Sequence, residues 1–179
     1  MKWLDRIFGG SKDMAALPAG TKAPDFSLSA LDGGKFSLQE ALQKGPVLAA
    51  FFKVSCPVCQ YAFPYLERIY KAHGAGKTTI VGISQNNQQE TANFLKNFGV
   101  TFTTLLDDPN GYPASNAYGL TNVPSLFLIG QDGEIEVSSV GWVKKDIEDI
   151  HRRLAEGQPA SSSVQLFKTG EDVRDFRAG

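Results

Sequence analysis

The chain has 179 residues, 42% of them hydrophobic and 21% charged, with a formal net charge of -1 at pH 7. That length suits one domain with tails, and near-neutrality leaves no field to attract nucleic acid or anionic lipid. No stretch is apolar for long enough to span a membrane, and two cysteines are too few for a disulfide scaffold.

The opening MKWLDRIFGGSKDM contains Lys2, but Asp5 and Arg6 interrupt it before any apolar run of signal-peptide length, so a cytoplasmic protein is expected. Residues 1–20, with Trp3, Leu4, Ile7 and Phe8, read as an N-terminal tail. Residues 21–156 read as one α/β domain, and residues 157–179 as a linker and C-terminal extension. FSLSALDGGKFSLQEAL gives two alternating runs around Asp32-Gly33-Gly34, a hairpin whose glycines supply positive φ at the turn. PVLAAFF then reads as a strand buried on both faces. After the stretch SCPVCQ, Ala62, Phe63, Leu66, Ile69 and Tyr70 recur at helical spacing from Val58 to about Ala72, with Gly74 as the stop. Pro64 inside this helix predicts a kink near Gln60.

The alternation continues. TTIVGIS reads as a strand, QQETANFLKNFG as a helix closed by Gly99, and FTTLLDD as a third parallel strand. A loop with Pro109, Gly111 and Pro113 leads through a short helical piece near Ala114 to the strand VPSLFLIG. Asp132-Gly133 turns that strand into EIEVSSV, an antiparallel pair, and Val143, Ile147, Ile150 and Leu154 mark one face of a last helix. The pattern predicts a mixed sheet covered by helices on both faces. PASSS reads as a linker, and the VQLFKTGEDVRDFRAG beyond it as either a docked extension or a disordered tail.

The only cysteines, Cys56 and Cys59, therefore fall at a strand-to-helix junction. A close pair of thiols can be half a metal site, a structural disulfide or a redox pair. A structural zinc needs about four ligands, and His73 and His151, the only imidazoles, stand at no ligand-like spacing from the cysteines. A loop this short gains little from permanent closure. Pro57 suits the first position of a helix, which places Cys56 at or beside the N-cap, where free N–H groups and the helix dipole favour thiolate over thiol. Cys59, one turn further in, is placed to resolve a mixed disulfide formed on Cys56.

With CPVC at such a junction, a later strand led by Val123-Pro124, and a closing hairpin plus helix, the chain resembles the thioredoxin superfamily over about Thr21 to Glu156. The added N-terminal hairpin and the insert between Gln85 and Asp108 are similar to the TlpA-like thiol-disulfide oxidoreductases, neighbours of the alkyl hydroperoxide reductase and thiol-specific antioxidant family. The resemblance implies a thioredoxin-like fold, Cys56 as exposed nucleophile, Cys59 as its resolving partner, and a cis Val123-Pro124 bond beside them. It further implies that the backbone of Val123 faces outward to pair with a substrate strand, with Pro124, Pro57 and Val58 completing the substrate-contacting set. Disulfide-containing or dithiol proteins and an electron donor are the implied partners, with no cofactor and no metal.

Two departures stand out. Thioredoxins carry a buried Asp six residues before the first cysteine, and TlpA-like proteins often a Glu three residues after the second; here these positions are Ala50 and Ala62. The dipeptide between the cysteines is Pro-Val, which resembles the Pro-first arrangement of glutaredoxins and oxidising periplasmic enzymes. Lys53, three residues before Cys56, either adds positive charge near the sulfur or is a solvated strand-end residue. A thiol peroxidase would use the same fold, but its Pro-x-x-x-Thr/Ser-x-x-Cys pattern fits neither cysteine: Cys56 and Phe52 stand at those positions before Cys59, Lys53 and Ala49 before Cys56. A non-catalytic binding module of the same fold is a third reading, for which the missing acids speak. GAGKTT, from Gly74, runs from helix to strand, the reverse of a phosphate-binding loop.

Overall fold

The computed structural model describes residues 15–156, 158 and 165–179. Trp3, Leu4, Ile7, Phe8 and the Pro159–Ser163 linker lie outside these residues. Strands β1 (Ser27–Ala30) and β2 (Lys35–Ser37) form the expected antiparallel hairpin, Leu28 opposite Phe36, with Gly33 at φ 91° in the turn. The second run is shorter than its alternation suggests, because Leu38–Lys44 is a helix, α1. Its N-cap is Ser37, whose hydroxyl accepts the N–H of Glu40 at 3.4 Å, the S-x-x-E pattern that opens helices.

The main sheet then assembles from β3 (Val47–Phe52), β4 (Thr79–Ser84), β5 (Thr104–Leu106), β6 (Ser125–Ile129) and β7 (Ile135–Val140), with the order β2-β1-β5-β4-β3-β6-β7. β3, β4 and β5 are parallel, and β6 with β7 on one side and β1 with β2 on the other run antiparallel to them. β3 lies between β4 and β6, which explains a six-residue run without a polar side chain. Leu48, Ala50 and Phe52 point into one core and Val47, Ala49 and Phe51 into the other, all with no solvent exposure.

Helices α2 (Pro57–His73), α3 (Gln88–Phe98) and α5 (Lys144–Glu156) cover the first face, while α1 and the short α4 (Pro113–Ala117) contribute to the second. α2 runs unbroken through Pro64, and its Phe63 ring packs 4.3 Å from Phe52 and 5.3 Å from Phe94, centroid to centroid. Each such pair contributes about 0.5–1.5 kcal/mol beyond area burial. α3 ends at Gly99 in the left-handed region, φ 64°, a conformation that glycine adopts without strain. α5 buries Ile147, Ile150 and Leu154; Val143 precedes it in β8 (Trp142–Val143). The two histidines, far apart in sequence, meet between α2 and α5, His73 Nε2 and His151 Nδ1 lying 3.0 Å apart.

The extension is docked. β9 (Phe176–Arg177) pairs antiparallel with β8, Leu166 and Val173 are buried, and Phe167 packs against Tyr65 and Trp142. Arg68 of α2 grips Glu171 with two bonds of 2.8 Å, and the Trp142 indole N–H donates to the Arg174 carbonyl. At the other end, packed structure begins before residue 21: the N–H groups of Leu17 and Gly20 bond to the carbonyls of Tyr118 and Ile135.

Candidate active site

β3 delivers the chain out of the sheet at Phe52, and the next four residues turn it into α2. The turn is closed by the Cys56 N–H on the Lys53 carbonyl at 3.2 Å and pinned by its neighbours: Val54 N–H donates to Asn86 Oδ1 (3.0 Å), and Gln60 Nε2 donates to the Val54 carbonyl (2.9 Å). Cys56 is the N-cap of α2, in an extended conformation (φ -80°, ψ 115°), with Pro57 in the first helical turn where no N–H is missed. The Cys56 sulfur takes the place that an N-cap oxygen holds in most helices, accepting the Cys59 N–H at 3.4 Å.

The two sulfurs have different surroundings. Cys56 is half-buried, whereas Cys59 has no exposure, and both are free thiols. Burial pushes the Cys59 thiol well above the usual thiol range, and the adjacent Cys56 adds to the rise. The groups that act on Cys59 are the backbone of Lys53, Cys56 and its own backbone, with no carboxylate among them. Ala50 and Ala62, the positions where an acid was absent from the sequence, are both completely buried.

The loop before β6 closes the other side. The Val123-Pro124 bond is cis, and the Cys56 thiol donates to the Val123 carbonyl at 3.3 Å. The fold thus brings Cys56, Cys59, Val123 and Pro124 together from positions 67 residues apart. Pro57 is exposed beside them, while Val58 turns into the core at 8% exposure. Lys53 is solvent-exposed at the strand end.

Sequence reasoning missed how the extension reaches this site. Asn122 Nδ2 donates to the Gly179 carbonyl at 3.0 Å, and a Cβ at Gly179 would fall 2.6 Å from the Val123 carbonyl oxygen, so only glycine fits there. The Arg177 guanidinium sits 4.9 Å over the ring of Tyr61, on the turn of α2 just after Cys59. The signals the sequence held were the apolar residues of the tail, Val164, Leu166, Phe167 and Phe176, of which Leu166 is buried and Phe176 is 63% exposed. Among the described residues no cluster of three or more His, Cys, Asp or Glu could hold a metal, and no helix is long and apolar enough to cross a membrane.

A central parallel strand that hands a C-x-x-C pair to a helix N-terminus, facing a proline-led antiparallel strand, is the thioredoxin-like arrangement. The chain is 29% identical over 148 residues to the thiol-disulfide oxidoreductase ResA of Geobacillus thermodenitrificans, covering 82% of each protein. It is 31% identical over 143 residues to the thioredoxin-like protein YneN of Bacillus subtilis, covering 77% of this chain and 81% of the relative. Among solved structures, a thiol:disulfide interchange protein of the thioredoxin family from Chlorobium tepidum superposes with a TM-score of 0.64 at 28% identity, over 78% of this chain and 98% of that one. Fold and site together define a thioredoxin-like thiol-disulfide oxidoreductase. Residues 19–138 match the AhpC/TSA family, and the chain belongs to that family.

Proposed function

We propose that Cys56 is the nucleophile and Cys59 the resolver in disulfide exchange with protein partners. The observation that carries this reading is the asymmetry of the pair: one sulfur half-exposed at a helix N-cap, the other one turn inside and sealed from solvent. The Cys56 thiolate attacks a substrate disulfide, forming a mixed disulfide and releasing one substrate thiolate. The Cys59 thiolate then attacks the Cys56 sulfur, which forms the Cys56–Cys59 disulfide and releases the second substrate thiolate. Two electrons pass from protein to substrate, and a dithiol donor returns them; run backwards, the same steps oxidise a partner dithiol.

Val123 supports the place of the partner strand. Its carbonyl meets the Cys56 sulfur, and its N–H bonds to no described residue, so an extended segment laid across the site has a backbone donor to pair with. Among the described residues no carboxylate is a main influence on the Cys59 thiol, and water admitted when a substrate is bound is the acceptor in this reading.

The test is reduction of an insulin-type disulfide with a thiol donor. Cys56→Ser abolishes turnover, and Cys59→Ser accumulates a mixed disulfide visible by mass under non-reducing conditions. Unchanged reduction by Cys56→Ser would sink the assignment.

A further inference from the structure

A cavity of 210 Å³ opens next to the cysteines, with Lys53, Gln85, Tyr112, Thr121 and Val123 in its wall. It is joined to the reacting sulfur twice. Val123 lines it and accepts the Cys56 thiol, and Lys53 begins the turn that Cys56 ends, a geometry that holds the two Cα atoms within about 7 Å. Neither cysteine lines the cavity itself, and a larger one of 530 Å³, walled in part by Lys22, Asp25 and Gln131, includes neither Lys53 nor Val123.

The smaller cavity has a definite polarity. No Asp or Glu lines it. The carboxylate behind its wall, Asp107, is buried and occupied by the N–H groups of Ala114 and Ser115 and the Ser115 hydroxyl. Ser115 in turn accepts the Gln85 side-chain N–H at 2.8 Å, while Asn116 and Asn122 give theirs to the carbonyls of Gly111 and Gly179. Among the described residues the Lys53 ammonium and the hydroxyls of Thr121 and Tyr112 have no partner, and neither do the amide oxygens of Gln85, Asn116 and Asn122. The hydroxyls can donate or accept and the amide oxygens accept, so charge decides: Lys53 is the one charged group among the described lining residues, and the matching ligand group is an anion. At 210 Å³ the cavity is smaller than the roughly 300–1,000 Å³ of drug-sized sites, which suits a short acid rather than a folded chain.

We propose that this cavity receives the carboxylate of a low-molecular-mass disulfide while Cys56 attacks its sulfur, with Lys53 as the specificity-determining cation. The proposal rests on Cys56 being the exchanging sulfur. The Cys56 thiolate displaces one carboxylate-bearing thiolate and forms a mixed disulfide. The Cys59 thiolate displaces the second, the protein dithiol gives up two electrons, and its two protons pass to the two released thiolates. Because Lys53 is exposed, its effect belongs to the range of surface ion pairs, about 1.5- to 5-fold, and is screened by salt.

The test uses the reduced full chain in single turnover with three disulfides of similar size: dianionic dithiodipropionate, neutral bis(2-hydroxyethyl) disulfide and dicationic cystamine. Each rate is divided by that of the same disulfide with free N-acetylcysteine amide, so that differences in leaving group cancel. The expected order is anionic over neutral over cationic, with about 1.5- to 5-fold between the first two. Lys53→Gln brings the ratios close to one and leaves the neutral rate within about twofold; Lys53→Arg preserves the order, and molar salt flattens it. Equal normalised rates in the unsubstituted protein overturn the proposal, as does a Lys53→Gln effect that slows all three alike, since the lysine then acts on the sulfur. A Lys53 dependence seen only with a glutamate-containing disulfide peptide also overturns it, because the carboxylate then comes from a protein. No reaction with the neutral disulfide would instead remove the exchange mechanism itself.

Discussion

Cys59 is a thiol that the fold keeps protonated, and the consequence can be read from the rate of resolution. Its upward shift comes first from burial, with the Cys56 thiol, the group lost when a mixed disulfide forms, a smaller contributor. At any pH below the raised value the thiolate fraction grows tenfold per pH unit, so resolution is expected to rise with unit log slope from pH 6 to 9 without a plateau. Acid-quenched mass spectrometry of the mixed disulfide measures this directly. A plateau near neutrality would mean that a local base takes the proton, and the water route would fail. At this scale the reactive pair was legible because Cys56, Pro57 and Cys59 act through neighbours in sequence, and helix-terminus chemistry needs no more. The Cys56 to Val123 contact was readable only through resemblance, since nothing in local spacing joins residues 67 apart.

Among the elements, the extension is tied to α2 by one ion pair, Arg68 with Glu171. Glu171 is held down to about 2, first by the two bonds from Arg68 and then by the Lys168 N–H. A carboxylate depressed in the folded state stabilises above its ordinary value of 4.5 and loses that contribution as pH falls through about 2. Docking of residues 165–179 is therefore expected to be complete at pH 7 and to weaken progressively below about 4.5. Glu171→Gln removes the charged grip at every pH. Limited proteolysis at pH 7 is expected to cut the variant within 165–179 several-fold faster than the parent; equal rates would show that the apolar contacts and the β8–β9 pairing hold the segment without the ion pair. The sequence left this segment open between docked and disordered, because its apolar residues follow neither helical nor strand periodicity and their partners Tyr65, Arg68 and Trp142 are set by the fold. α1 was hidden differently. Phe36 and Leu38 continue a strand-like alternation, and the Ser37–Glu40 cap that overrides it is visible only when read as a pair.

For the whole molecule, the mixed sheet with helices on both faces follows from apolar runs that the sequence displays openly, whereas the strand order and the joint between α2 and α5 do not. His73, 1% exposed, sits there against His151, and burial lowers its pKa, with His151 adding to the effect. A histidine depressed in the folded state favours folding at pH values above the ordinary 6.5 and withdraws that support as pH falls below it. The urea midpoint is expected to be lower at pH 5.5 than at 7.5, and His73→Phe to reduce that difference. A midpoint unchanged by pH would show that the pair adapts without cost. The same face of the molecule carries Trp142, fully buried, with Tyr65 and Tyr61 at 4.8 and 5.0 Å and its indole N–H on the extension. The chain has two tryptophans, so replacing Trp3 leaves one emitter, fed by tyrosines on the helix that carries the cysteines and tied to the segment that reaches Val123. Its colour and intensity make the docking of that segment an optical signal, readable in a cuvette while disulfides exchange a few residues away.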